Sequence, residues 1–163
     1  MNRKENLRIK EFDCNPLLQW NKERNPLRVT FNTIFLSIAK FLPLKLKNKL
    51  YRNLGVDIGE DTAIALSVML DIFYPEKIII GSGTTIGYGS TILTHETTSS
   101  EFRTGPTKIG DNVLIGAQTV ILPGVEIGDN AKISANSLVH RDIEEDEFVG
   151  GNPVTRIDSD NLE

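Results

Sequence analysis

Residues 109–144 read IGDNVL IGAQTV ILPGVE IGDNAK ISANSL VHRDIE when cut in sixes. Every unit opens on an aliphatic residue: Ile109, Ile115, Ile121, Ile127, Ile133 and Val139. The beat also runs upstream, as IGEDTA, IALSVM and LDIFYP from Ile58, then as IGSGTT, IGYGST and ILTHET from Ile80. There the openings are Ile58, Ile64, Leu70, Ile80, Ile86 and Ile92. A strict period of six suits neither a helix, at 3.6, nor a lone strand, at 2. It suits a parallel β-helix in which each unit forms one flat side of a coil and successive coils stack their first residues inward.

The other positions give an independent check. Sharp corners favour residues that tolerate positive φ: Gly, then Asn, Asp and His. The fourth places hold Asp61, Ser67, Gly83, Gly89, His95, Asn112, Gln118, Gly124, Asn130, Asn136 and Asp142. The fifth places hold Thr62, Val68, Thr84, Ser90, Val113, Thr119, Val125, Ala131 and Ser137, small or β-branched residues that suit a second inward row.

The segment before the repeat differs in kind. Residues 1–25 show no clear periodicity. Asn25 then caps a helix that has Pro26 at its first position, and Pro43 ends it. Leu27, Phe31, Ile34, Phe35, Ile38, Phe41 and Leu42 recur at helical spacing. A second short helix is expected over 44–54, stopped by Gly55. No acidic residue lies between Glu23 and Asp57, whereas Arg28, Lys40, Lys45, Lys47, Lys49 and Arg52 do. Two readings stay open. One is a helical lid with its apolar face on the main body and its basic face in water. The other is a basic amphipathic surface, residues 26–54, that meets a membrane or an acidic partner. The expected organisation is an N-terminal extension over 1–55, a β-helix over 56–157 and an acidic tail over 158–163.

With 163 residues the chain suits one domain with a real core. Its net charge of −4 argues against nucleic acid as a partner. A single cysteine, Cys14, excludes an internal disulfide framework and points to a reducing, cytoplasmic setting. No apolar run reaches the roughly 18 residues of a membrane span.

Four extra residues, 76–79, follow LDIFYP, and the rhythm then fails at greater length. Between ILTHET and IGDNVL the chain makes an excursion over 97–107, and His95 stands at its start. A plain corner would accommodate a histidine, but it would not explain why the repeat stops there.

From Lys108 to Pro153, closing with VGGNPV, the sequence resembles the hexapeptide-repeat acyltransferases, most closely those of the galactoside, maltose and xenobiotic acetyltransferase type. The resemblance extends over roughly 55–157, and the N-terminal helical part does not match the sugar-acetylating members. It implies an all-β fold, a left-handed parallel β-helix. Periodicity does not dictate that hand, since parallel crossovers are normally right-handed. It also implies a homotrimer that binds acetyl-CoA in clefts between subunits and acetylates a small acceptor.

Acetyl transfer to a hydroxyl needs a base for the acceptor's proton and donors for the oxyanion on the thioester carbonyl. Imidazole is the natural base near neutral pH, and the resemblance assigns that role to His95. On the CoA side it implies Ala117 and Ala135 along the pantetheine, His140 and Arg141 toward the nucleotide, Pro153 at the closing turn and, one residue out of step, Arg156. The sugar-acetylating members carry an asparagine for the acceptor where this chain has Ala65, which weakens galactoside or maltose as substrate. Asp71, Tyr74 and Arg103, in irregular segments, are candidates for the acceptor pocket, against the alternative of a solvated loop. The γ-type carbonic anhydrases share the coil but hold zinc with three histidines, and this chain has two. No metal is expected. The competing reading, from another class, is a non-catalytic β-helix scaffold.

Overall fold

The computed structural model describes residues 3–158. From Asp57 onward, strands of two or three residues alternate with tight corners and build three stacks of parallel strands. In the first stack Ile58, Ile80, Ile109 and Ile127 lie in register, with a bridge on to Ile143. In the second the ladder is Ile64, Ile86, Ile115, Ile133 and Val149. In the third it is Leu70, Ile92, Ile121 and Val139. The twelve aliphatic openings are therefore the core of a parallel β-helix, and all are buried. The fifth-place row is buried beside them, from Thr62 to Ser137. Its hydroxyls are satisfied across coils: Thr84 donates to the Gly110 carbonyl and Ser90 to that of Gly116. An antiparallel strand, Thr155–Arg156, closes the far end against Phe148–Gly150. Of the expected acidic tail, 159–163 lies outside the described residues.

Positive φ falls at Asp61, Ser67, Gly83, Gly89, Asn112, Gln118, Gly124, Asn130 and Asn136. Two expected corners differ. His95 is not a corner but the first residue of an extended strand, because the chain leaves the coil there. The unit at Val139 closes after four residues, since Ile143 already bridges to Ile127. Asp142 therefore turns its carboxylate to the Glu126 amide, and Asp146 adopts the positive φ of 59°.

Close stacking makes side chains costly at the second places. A Cβ added to Gly116 would sit 2.4 Å from the backbone nitrogen of Ala135. Gly116→Ala is expected to destabilise the coil by about 1–3 kcal/mol. Thermal unfolding measures this, and an unchanged Tm would mean the coils can part.

The N-terminal helices cap the open first coil. Helix α1 (Pro26–Ala39) starts as expected, with the Asn25 side chain accepting from the Leu27 amide. Helix α2 spans Leu44–Asn53. The first coil has no earlier coil to bond its carbonyls, and α2 supplies the donors. Buried Lys47 reaches the carbonyls of Ile64 and Ala65, Asn48 that of Thr62, and Arg52 those of Ile58 and Gly59. The basic face of the expected lid is thus partly inside, where it satisfies backbone groups that burial would otherwise penalise.

The apolar face behaves in the opposite way. Val29, Asn32, Leu36 and Ala39 are the buried side of α1, with Asn32 donating to the Ile72 carbonyl at 2.9 Å. Leu27, Phe31, Ile34, Ile38 and Phe41 face outward. Of the expected apolar face Phe35 packs half-buried on the core, while the docked side of α1 is built from Val29, Asn32, Leu36 and Ala39.

The break in the repeat is a hairpin rather than an irregular loop. Strands His95–Thr97 and Glu101–Thr104 pair antiparallel, and Arg8–Glu11 adds a third strand to Glu101–Thr104. The N-terminal residues without periodicity are therefore built into the break. Arg3 pairs with Glu96 and donates to the Pro123 carbonyl, and Asn6 donates to that of Gly124.

Candidate active site

Asp71 directly follows Leu70, and Leu70 stacks on Ile92 of the next coil. The register therefore sets Asp71 beside the point where the chain departs at Thr94. Its Oδ2 accepts from the amides of Thr94 at 2.8 Å and His95 at 3.1 Å. Its Oδ1 accepts from the amides of Phe73 at 2.8 Å and Tyr74 at 3.2 Å. The fifth partner is the imidazole, with His95 Nδ1 2.6 Å from Oδ2.

Every group facing this carboxylate is a donor. Burial alone would raise the Asp71 carboxyl, but the His95 hydrogen bond, the imidazole's charge and the amides outweigh it and hold the group below the usual carboxylate range. An ionised carboxylate can only accept, so Nδ1 carries the proton and Nε2 is left as the ring's acceptor. The geometry fixes both tautomer and orientation, which a general base requires.

Two aromatic rings, themselves 6.4 Å apart, pack against the imidazole. Phe73 lies 4.4 Å away, centroid to centroid, and Phe102 lies 5.6 Å away with its plane tilted by only 18°. Phe73 follows from the LDIFYP insertion and Phe102 from the hairpin. Trp20, in a short 3₁₀ helix over Pro16–Lys22, packs edge-on against Phe73 at 5.7 Å. The His95 side chain keeps 19% of its surface exposed while that of Asp71 keeps none, so the base is reachable and its partner is not.

Of the three candidates for the acceptor pocket, Asp71 bonds His95, Tyr74 joins through its amide on Asp71, and Arg103 stands apart. Asp71 lies beneath the imidazole instead of lining a pocket, because its oxygens are taken up by backbone amides. The Tyr74 phenol donates to the Glu23 carbonyl, and burial, then the Glu23 carboxylate, push its pKa up. Arg103 occupies the hairpin's other face, clamped by Glu96 and Glu101.

The residues expected on the CoA side fall at other places on the coil. Ala117 and Ala135 follow the second stack, one coil apart, and the Asn136 amide donates to the Ala117 carbonyl at 2.8 Å. His95 follows the third stack, so it lies at a different edge of the three-sided coil. Exposed His140 shares the edge of His95, two coils further along. Arg141 forms two hydrogen bonds to Glu147, of 3.1 and 2.8 Å. Pro153 is exposed after a cis bond from Asn152, and Arg156 is exposed in the closing strand.

The family described as "Bacterial transferase hexapeptide (six repeats)" matches residues 106–141. A protein of Bacillus subtilis (strain 168) named "Putative acetyltransferase YvoF" is 52% identical over 130 residues, covering 78% of this chain and 76% of its own. The chain belongs to the hexapeptide-repeat acetyltransferases. A member of this family from Vibrio cholerae, solved in complex with acetyl coenzyme A, superposes with a TM-score of 0.68 at 27% identity, over 82% of this chain and 86% of its own. A maltose O-acetyltransferase from Clostridium difficile 630 shares the fold, with a TM-score of 0.64 at 21% identity over 80% of this chain and 85% of its own. In this chain an N-terminal strand pairs with the hairpin and a 3₁₀ helix packs on Phe73, beside the candidate base.

Sequence reading missed Phe73, Phe102 and Trp20. A signal existed for the first. LDIFYP interrupts the repeat one coil before the hairpin does, so the two interruptions stack.

Proposed function

We propose that the protein is an acetyl-CoA-dependent O-acetyltransferase acting in the cytoplasm on a hydroxyl of a small, sugar-like or antibiotic-like acceptor. The observation that carries this is the Asp71–His95 pair at the point where the chain leaves the coil. His95 Nε2 takes the acceptor's proton as the oxygen attacks the thioester carbonyl. The new C–O bond forms, the C–S bond breaks, and the departing thiolate takes up a proton. Backbone amides of the coil are the donors available for the oxyanion. No acyl-enzyme is needed, and Cys14 is exposed and far from the repeat in sequence.

In this reading acetyl-CoA lies along the edge of Ala117 and Ala135 of one subunit, with Pro153 and Arg156 of that subunit and His140 and Arg141 of its neighbour toward the nucleotide end. Since His95 occupies another edge of the same chain, a neighbouring subunit supplies the base to each cleft. That favours a homotrimer of left-handed coils. Leu66, Met69, Tyr88 and Leu114, exposed on the coil, are apolar enough to face another copy. Where sugar-acetylating relatives hold the acceptor with asparagine this chain has Ala65, which favours an acceptor other than galactoside or maltose.

The test combines light scattering with release of thiol from acetyl-CoA across sugars, aminoglycosides and other hydroxylated antibiotics. A trimer mass and acceptor-dependent thiol release are expected. A monomer would overturn the shared cleft, and no release with any acceptor would favour a non-catalytic scaffold.

A further inference from the structure

Helix α1 presents an apolar stripe that nothing in the chain covers. Leu27, Phe31, Ile34 and Ile38 recur along it at helical spacing, and Phe41 and Leu44 continue it toward α2. Leu27 is 80% and Phe41 76% exposed. Six large apolar side chains in one run exceed the scattered exposure normal for a soluble surface. At 14 residues, α1 is about 21 Å long, too short to cross a hydrocarbon core of about 30 Å. No helix among the described residues is long and apolar enough to cross a membrane.

The charge around the stripe has one sign. Arg28, Lys45 and Lys49 are exposed and Lys40 is half-buried, and no acidic residue interrupts the chain between Glu23 and Asp57. Leu44 lines one concavity with Leu66 and Tyr88, so the stripe runs on to exposed apolar residues of the coil. We infer that the stripe of α1 and the start of α2 seat the protein on an anionic membrane surface, with apolar side chains in the interface and the lysines and arginine at the lipid headgroups.

The docking surface and the candidate base share one helix. Val29 and Asn32, on the buried side of α1, rest on Phe73 and on the Ile72 carbonyl. Phe73 in turn lies against His95. One helix diameter and one ring contact place the imidazole on the order of 15 Å from the bilayer surface. That distance suits an acceptor hydroxyl carried at or near the membrane. This consequence rests on the acetyl-transfer reading, whereas the docking does not and is measured without turnover.

The test is flotation of the full chain with vesicles of phosphatidylcholine alone or mixed with phosphatidylglycerol. Binding to the anionic vesicles is expected to exceed that to the neutral ones by about tenfold or more, and to weaken as salt is raised from about 0.1 to 0.5 M. Phe31→Ser with Ile38→Ser removes apolar contact, and Lys45→Glu with Lys49→Glu reverses charge. Either pair is expected to abolish flotation while leaving the melting temperature and oligomer mass unchanged. No flotation of the unmodified chain would overturn the inference, as would equal binding to both vesicles or flotation that survives both pairs. Loss of oligomer mass in the Phe31→Ser, Ile38→Ser variant would also overturn it, by showing that another copy covers the stripe.

Discussion

His95→Ala is expected to lower turnover with a competent acceptor by about 10²–10⁴-fold, the range for loss of a positioned general base. The loss should fall on kcat, with KM for acetyl-CoA little changed, because the imidazole meets the acceptor's proton and not the nucleotide. The fold should survive. The twelve buried ladder residues are untouched, and the removed ring leaves space beside Phe73 and Phe102 at a side chain that is already partly exposed. Steady-state thiol release across a range of both substrates makes the measurement, with oligomer mass and melting temperature as controls. Turnover within a few-fold of the unmodified enzyme would remove His95 from the chemistry and leave the Asp71–His95 pair as a structural tie between coil and hairpin.

The coil was legible in the sequence because its constraint is repeated. One misplaced residue in a ladder meets neighbours above and below, so each place in the six-residue unit is specified many times over. The places where legibility failed are those specified once. His95 fits a corner by residue type, yet no unit follows it, and only its pairing with Thr104 across the hairpin shows an extended strand. Asp142 fits a corner for the same reason, and the shortened last coil moves the turn to Asp146. Pattern alone left open whether the more apolar side of α1 meets the core or a partner surface. The docked side is built from Val29, Asn32, Leu36 and Ala39, with Asn32 donating to the carbonyl of Ile72.

The site shows the same division. His95 could be singled out because chemistry at a break needs a reason. Asp71 was found as a polar residue in an irregular unit, but its relation to His95 depends on register between coils. Leu70 over Ile92 sets that register, and from it the carboxylate falls beside Thr94 and His95. Trp20 and Arg8–Glu11 had no signal, since their partners, Phe73 and the strand Glu101–Thr104, lie in segments that are themselves non-repetitive.

Asp71→Asn separates positioning from proton transfer. Both carboxylate oxygens face donors only: Oδ2 the amides of Thr94 and His95 and the imidazole Nδ1, Oδ1 the amides of Phe73 and Tyr74. An amide has one accepting end and one donating end. Whichever way it is placed, its NH₂ confronts two backbone N–H groups, and each buried donor left unsatisfied costs about 1–3 kcal/mol. If the NH₂ faces His95, Nδ1 must accept, the ring proton moves to Nε2, and the base is lost. If the oxygen faces His95 the tautomer survives, but the charge that stabilises the imidazolium during proton transfer does not. Turnover is expected to fall on the order of 10²–10⁴-fold, as when an orienting carboxylate is lost from a catalytic triad. Stability carries a second signature. The folded carboxyl of Asp71 lies below its ordinary value, so the stability it contributes is present above the unfolded carboxylate range and lost as pH falls through the folded value. The melting temperatures of the two proteins should therefore differ at neutral pH and converge in acid. A purely structural tie would lower stability with the same pH dependence but leave kcat nearly intact in the folded fraction. A positioning role lowers kcat in protein that circular dichroism shows to be folded, and alters its pH profile. Retention of both would show that the Asp71–His95 contact governs neither the ring nor the reaction.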